Sequence, residues 1–174
     1  MLLLPKPPYQ DVWKKVAFIT LGLPGCSKST WAAKNCPGLE RLERDEIRVV
    51  LAHEAGEEFC WASWDFSREA EVTRRWQQRL DDLIRQGVGL VCSDTNLNAL
   101  YRRQLAEKLL AAGYSLRYVF FDVPEEVCRR RNALRANPVQ EEAYAKLLHG
   151  FKEARQILAS EALELGIQLE VVDN

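Results

Sequence analysis

Gly22-Leu23-Pro24-Gly25-Cys26-Ser27-Lys28-Ser29-Thr30 is the stretch that decides how this chain is read. Before it runs Val16-Ala17-Phe18-Ile19-Thr20-Leu21, apolar and rich in β-branched and aromatic residues, the pattern of a buried strand. After it, Lys28 through Ala33 are residues that can open a helix. A strand, a glycine turn and a helix N-terminus form an anion site, because backbone N–H groups converge there and the helix dipole favours negative charge. Lys28 is placed to reach the β- and γ-phosphates of a nucleotide, and the Ser29 hydroxyl to ligate Mg²⁺. The pattern G-x-x-x-x-G-K-[ST] is met except at its second glycine, where Ser27 stands. Glycine is favoured where backbone takes positive φ or closely approaches a ligand, so Ser27 is expected to strain the loop by roughly 1 kcal/mol.

Working outward, 174 residues make one domain of ordinary size with a real core. Hydrophobic residues at 47% and charged residues at 28% match a soluble globular protein. A net charge of −1 excludes a broad basic field for nucleic acid, while a local basic site stays open. Five cysteines without a C-x-x-C pair fit free thiols in a reducing compartment. With two histidines beside them, a structural zinc site is not expected. Met1-Leu2-Leu3-Leu4-Pro5 is too short for a signal peptide, and no apolar run approaches a membrane span. The expectation is a cytoplasmic protein.

Residues 1–12, with Pro5, Pro7 and Pro8, read as an extended arm, leaving 13–174 as the single domain. Strands are expected at Val16–Leu21, Leu39–Leu42, Val88–Cys92, Ser115–Phe121 and Ile167–Val172. Helices are expected at Lys28–Asn35, from an Asp45 cap to about Ala52, and at Phe66–Gln86, Asn98–Ala112 and Glu125–Arg135, with one or two pieces in Val139–Leu165. In the Phe66–Gln86 helix, Val72, Trp76, Leu80 and Leu83 fall near one face. Trp61, Trp64 and Phe66 read first as core, and second as a base-stacking platform. This alternation predicts an α/β fold, a central parallel sheet with helices on both faces. Ligands of such sheets bind beyond the carboxyl ends of the strands. There the loop at Gly22–Thr30, Arg44–Arg48 and Ser93–Asn96 would converge.

Each cluster has a chemical reading beside a plain one. Asp94, after an apolar strand, suits Mg²⁺ or a neighbouring cation, or is a turn aspartate. Asp45 and Arg48 share a helix face, as a base with a phosphate-binding arginine or as a surface ion pair, and spacing alone favours neither. Arg131 and Arg135 also share a face, as lid arginines on a transferring phosphoryl group or as part of a solvated basic helix. Arg129 and Arg130 take the second meaning.

These residues resemble the kinase domain of the bacteriophage-type polynucleotide 5′-kinases, in the P-loop kinase superfamily. Gly22 through Ala32, including Thr30-Trp31-Ala32, is similar to that family's phosphate loop. Arg44-Asp45-Glu46-Ile47-Arg48, with Ala52-His53-Glu54, is similar to its acceptor-site helix, and Ser93 through Asn98 to its third motif. Phe121-Asp122-Val123-Pro124, then Arg131-Asn132 and Arg135, is similar to its lid, here about 124–140. The resemblance spans about Val16 to Lys152. It implies an adenylate-kinase-like P-loop fold and transfer of the γ-phosphate of ATP to the 5′-OH end of DNA or RNA, in nucleic acid repair. It implies that Gly22, Gly25, Ser27, Lys28, Ser29, Thr30 and Arg131 hold ATP, with Mg²⁺ on Ser29. Asp45 would be the general base, with Lys28 and Arg135 also catalytic, and Arg48, Asp94 and Asn96 would serve the acceptor. The Ala136-Asn137-Pro138 connection is shorter than the family's, so no residue is assigned to the acceptor base. Many members carry a 3′-phosphatase domain, for which this chain has no room; a homo-oligomer or a separate phosphatase or ligase partner stays open. Two other readings stand beside this one: a related P-loop kinase for a small-molecule or tRNA-linked hydroxyl, and a nucleotide-binding protein that has lost catalysis.

Overall fold

The computed structural model describes residues 15–173. The expected N-terminal arm lies outside the described residues. Five strands form one parallel sheet: β1 (Val16–Leu21), β2 (Glu40–Leu42), β3 (Leu90–Cys92), β4 (Ser115–Phe121) and β5 (Gln168–Val172). Their spatial order is β2-β3-β1-β4-β5. β1 is central, pairing Ala17 with Leu90 on one side and Leu21 with Phe120 on the other. Covered on both faces, it runs Ala17, Phe18, Ile19, Thr20 and Leu21 buried without alternation, as parallel sheets require.

The helices are α1 (Lys28–Asn35), α2 (Arg44–Glu54), α3 (Glu69–Gln86), α4 (Ala99–Ala111), α5 (Glu125–Ala133) and α6 (Glu141–Leu165). α3 buries Val72, Trp76, Leu80 and Leu83, the stripe its sequence carries, and ends on left-handed Gly87. It begins three residues later than its periodicity suggests, because Phe66–Arg68 forms a 3₁₀ turn with the Asp65 side chain accepting from the Ser67 N–H. α4 opens on Asn98, whose side chain accepts from the Tyr101 N–H. The Val139–Leu165 region is one helix from Glu141 onward. Trp31 fixes α1 to the sheet by edge-on contacts with Phe18 and Phe121, at ring centroid distances of 5.8 and 6.1 Å.

One capping expectation changes. α2 starts at Arg44 rather than after Asp45, and Glu43 precedes it without a capping bond. The cap comes from across the sheet: Asp94 Oδ1 accepts the Arg44 N–H at 2.8 Å. An orphan donor of the first turn is thus satisfied by the loop after β3. Among the described residues no helix is long and apolar enough to cross a membrane.

Candidate active site

The loop between β1 and α1 curls over the end of β1. An added Cβ at Gly25 would meet the Cys128 carbonyl oxygen at 2.4 Å, and its φ is +89°. Gly25 is therefore required by backbone conformation and by the approach of α5. Ser27 sits in the left-handed region, with φ 75° and ψ 21°. The position that usually holds glycine needs positive φ here, and not merely space. Lys28 is buried, its Nζ donating to the carbonyls of Gly22 and Leu23 at 2.9 Å each. That folds the lysine over the loop's own turn, beside the N–H groups of α1's first turn, which lack intrahelical acceptors.

A cleft of about 1050 Å³ opens beyond the strand ends. Of the residues expected at a site, it brings together Gly25, Ser27, Lys28, Ser29, Thr30, Asp45, Arg48, Asp94 and Arg135. The three polar clusters converge as the topology requires. Gly22, Asn96 and Arg131 do not line it. Gly22 lies under the turn, where a Cβ would strike Cys26 Sγ at 2.6 Å. Arg131 lies beside it, its Nη1 donating to Ser27 Oγ at 3.3 Å.

Asn96, expected to serve the acceptor, turns its side chain to the strand ends. Its side-chain amide donates to the carbonyls of Thr20, Cys92 and Asp94, at 2.8, 3.2 and 3.0 Å. It clamps the ends of β1 and β3 together at a φ of 49°, which asparagine tolerates better than most residues.

Asp45 and Arg48 meet as their spacing allows: Arg48 Nη1 donates to Asp45 Oδ1 at 2.7 Å. A third partner decides the geometry. Glu69, in the first turn of α3, accepts from Arg48 Nε and Nη2 at 2.8 Å each in a forked pair. Glu69 also accepts from Trp64 Nε1 at 2.7 Å. The Arg48 guanidinium lies 4.7 Å from the Trp61 ring centroid. Burial works against the arginine's charge, yet its bonds to Glu69 and Asp45 hold its pKa above the ordinary value. Burial likewise opposes ionised Glu69, but Arg48 and Trp64 hold that carboxyl below the usual range. Sequence reasoning missed Glu69: an acid in a helix's first turn is favoured there by the dipole in any case. Asp94 differs, since burial pushes its carboxyl up to about 6 while the Arg44 N–H pulls the other way. Its second oxygen accepts from Trp76 Nε1 at 3.0 Å.

Of the arginine run, Arg129 is bound to Glu125 and Glu141, as its plain reading has it. The loop between α5 and α6 is held by two amides. Asn132 exchanges both bonds with the Val139 backbone, at 3.0 and 3.1 Å. Asn137 accepts from the Trp61 N–H at 2.7 Å and donates to the Phe59 carbonyl at 3.3 Å. For a divalent cation, no group of three or more His, Cys, Asp or Glu surrounds a common point among the described residues. The cleft instead offers single oxygens, the Ser29 hydroxyl and the Asp45 and Asp94 carboxylates. That fits Mg²⁺, which takes one or two protein oxygens and completes its shell with phosphates and water.

Comparison with known proteins gives a family match and several folds. A model of the AAA_33 family, described as an AAA domain, matches residues 18–156. A putative kinase from Chloroflexus aurantiacus J-10-fl shares 18% identity at a TM-score of 0.63, over 92% of this chain and 88% of that one. A gluconokinase from Sinorhizobium meliloti 1021 shares 18% at 0.53, over 92% and 83%. A chain of the PezAT chromosomal toxin–antitoxin system of Streptococcus pneumoniae shares 15% at 0.61, over 91% and 66%. At these identities the likeness is one of fold.

Proposed function

On the premise that this chain belongs to the AAA_33 family and has a P-loop kinase fold, we propose that it is an ATP-dependent polynucleotide 5′-hydroxyl kinase. The observation that carries the reading is one cleft in which Lys28 and Ser29 of the phosphate loop face an acid, Asp45, held by a buried arginine. Phosphoryl transfer needs little from a protein beyond position and charge. The loop and Lys28 hold the β- and γ-phosphates, and the Arg135 and Arg131 guanidinium groups neutralise charge on the transferring group. Bound at Ser29, Mg²⁺ would supply further positive charge against the phosphates. Asp45 takes the proton of the attacking hydroxyl as its oxygen bonds to the γ-phosphorus and the bond to the β-phosphate oxygen breaks. Arg48 fixes the Asp45 carboxylate. Three of its five N–H donors go to carboxylates, which leaves one on each terminal nitrogen for an acceptor phosphate. Asp94, capping α2, sets the helix that carries both.

The forked hold of Glu69 on Arg48 also favours a second reading, a P-loop kinase for a small-molecule or tRNA-linked hydroxyl, in which Arg48 orients Asp45 and contacts no acceptor phosphate. Transfer of labelled γ-phosphate from ATP to 5′-OH oligonucleotides, beside nucleosides and small alcohols, separates the two. Transfer to small acceptors alone overturns the polynucleotide reading. ATP binding with no transfer to any acceptor would leave the reading in which catalysis has been lost.

A further inference from the structure

The segment between α2 and α3 folds into a small apolar cluster of its own. Trp64, 8% exposed, packs there with Leu51, Ala52 and Val72, and Phe59 and Trp61 lie against them. Phe59 meets Trp61 and Trp64 edge-on, each at 5.2 Å. Phe66 is different. Its ring lies 6.4 Å from that of Trp61, tilted by 33°, and stays 60% exposed. Core packing accounts for Trp64 and Phe59, and not for an exposed phenylalanine on the wall of the cleft that holds Asp45.

We propose that Trp61 and Phe66 form the recognition wall for a planar heteroaromatic ring on the acceptor, the terminal base of a nucleoside whose hydroxyl lies at Asp45. This rests on the reading of the cleft as a polynucleotide kinase site and names how that site selects its acceptor. Four observations converge on it. Both rings line the cleft on the side of Asp45 and Arg48. Trp61 carries the Arg48 guanidinium on its ring, so an aromatic surface and a cation stand side by side, as a ring joined to a phosphate requires. The loop between α5 and α6 offers no ring of its own, and its Asn137 is spent on the backbones of Phe59 and Trp61. That two-point bond fixes the aromatic segment, so the wall is positioned before an acceptor arrives. A ring-free polyol would gain less from the ring faces than a base, which has a face to stack.

The test measures kcat/KM for phosphoryl transfer to oligonucleotides with a 5′-terminal nucleoside or a 5′-terminal abasic sugar, and to free nucleosides and ring-free polyols. Stacking of one base corresponds to about 5- to 150-fold in kcat/KM. The wild type should prefer base-bearing acceptors by a factor in that range, Phe66→Ala should bring the ratio towards one, and Phe66→Tyr should keep it. Equal use of base-bearing and abasic ends by the wild type overturns the wall and leaves the polynucleotide reading standing. If oligonucleotides fail but nucleosides are preferred over polyols, and Phe66→Ala removes that preference, the wall stands and the polynucleotide reading falls. Transfer to polyols alone, or to nothing, overturns both. A Phe66→Ala effect confined to the KM for ATP overturns the wall by giving the ring to the donor adenine.

Discussion

Glu69→Gln removes the carboxylate that holds Arg48 and keeps its shape. In the wild type Glu69 gives both oxygens to the guanidinium at 2.8 Å, and Oε1 also takes the Trp64 N–H at 2.7 Å. A glutamine retains one acceptor and turns an NH₂ group towards an arginine N–H, so at least one charge-assisted bond is lost. Such bonds contribute about 1.5–3 kcal/mol, lowered towards 1 by screening, because the Glu69 side chain is 29% exposed. A loss of about 1–3 kcal/mol lowers the melting temperature of a domain this size by about 2–12 °C. The effect on chemistry has its own logic. Without Glu69, Arg48 keeps Asp45 as its carboxylate partner and draws it from the position a base needs. The fall in kcat should therefore exceed the rise in KM for ATP, while staying smaller than the loss in Asp45→Asn. The sign with pH also follows. Glu69 has a pKa below its ordinary 4.5, so its stabilisation is present above that value and is lost as pH falls below it. The variant should lack that acid-side slope. A melting temperature within 1 °C of wild type together with an unchanged kcat would refute the assignment of Glu69 as the residue that positions Arg48.

Asp45→Asn should lower kcat by about 10²–10⁴ with the ATP dissociation constant nearly unchanged, measured by single-turnover transfer and nucleotide titration; near-normal turnover would remove Asp45 as base. Asp94 has its folded pKa raised to about 6, so its contribution to stability is complete below the ordinary 3.8 and is lost as pH rises through about 6. Urea midpoints between pH 4 and 7 should fall with pH more steeply for the wild type than for Asp94→Asn, and equal slopes would contradict the shift. Ser27→Gly relieves a left-handed serine at φ 75°, a cost of about 1–2 kcal/mol, against about 0.5–1 kcal/mol for the added freedom of glycine in the unfolded chain. The net of about 0–1.5 kcal/mol in favour of glycine should appear as a melting temperature higher by up to about 6 °C, or as ATP binding tighter by up to about tenfold, according to which equilibrium fixes the loop. A lower melting temperature with weaker ATP binding in the glycine variant would show that the left-handed serine carries no such cost.

The middle of the sheet was legible because β1, β3 and most of β4 are apolar runs closed by turn residues, and β4 falls on its expected bounds, whereas β2 and β5 carry charged or polar residues among their apolar ones. The order β2-β3-β1-β4-β5 was not, since nothing local in Leu90-Val91-Cys92 says that it pairs with Ala17 through Ile19. Asp45 and Arg48 were legible as a pair because three residues bring them to one helix face. Which of their two meanings holds depends on Glu69, 21 residues beyond Arg48 in the chain and visible only once α3 packs beside α2. The direction of Asn96 was not legible. Its neighbours Asp94 and Thr95 do reach the cleft, whereas the left-handed backbone at Asn96 turns that amide back on to the carbonyls at the strand ends. The aromatic segment divided as neither reading alone proposed, with Trp64 in a core and Phe66 on the cleft wall.

The strand-end loop that carries Asp94 is held from behind by buried charge. Arg102, 1% exposed, gives Nε and Nη2 to the carboxylate of Glu161 at 2.9 and 2.5 Å, and the Tyr118 hydroxyl donates to the same carboxylate at 2.8 Å. Burial, then the bonds to Arg102 and Tyr118, set the balance that leaves Glu161 below the usual carboxylate range. A buried ion pair is weak evidence for stability, because well-packed apolar residues commonly do as well. This one has geometric consequences instead. Arg102 Nη1 donates to the Asn96 carbonyl at 3.2 Å, and the Asn96 amide reaches the carbonyls of Thr20 and Asp94. Asp94 in turn caps α2 through Arg44, one residue before Asp45. From α6 to the acid on α2 the links are directional hydrogen bonds, each with a fixed donor and acceptor. Apolar packing alone would tolerate a slip of the loop that this chain of bonds does not. The start of the helix that bears Asp45 is thus tied, through Asp94 and Asn96, to the back of the sheet.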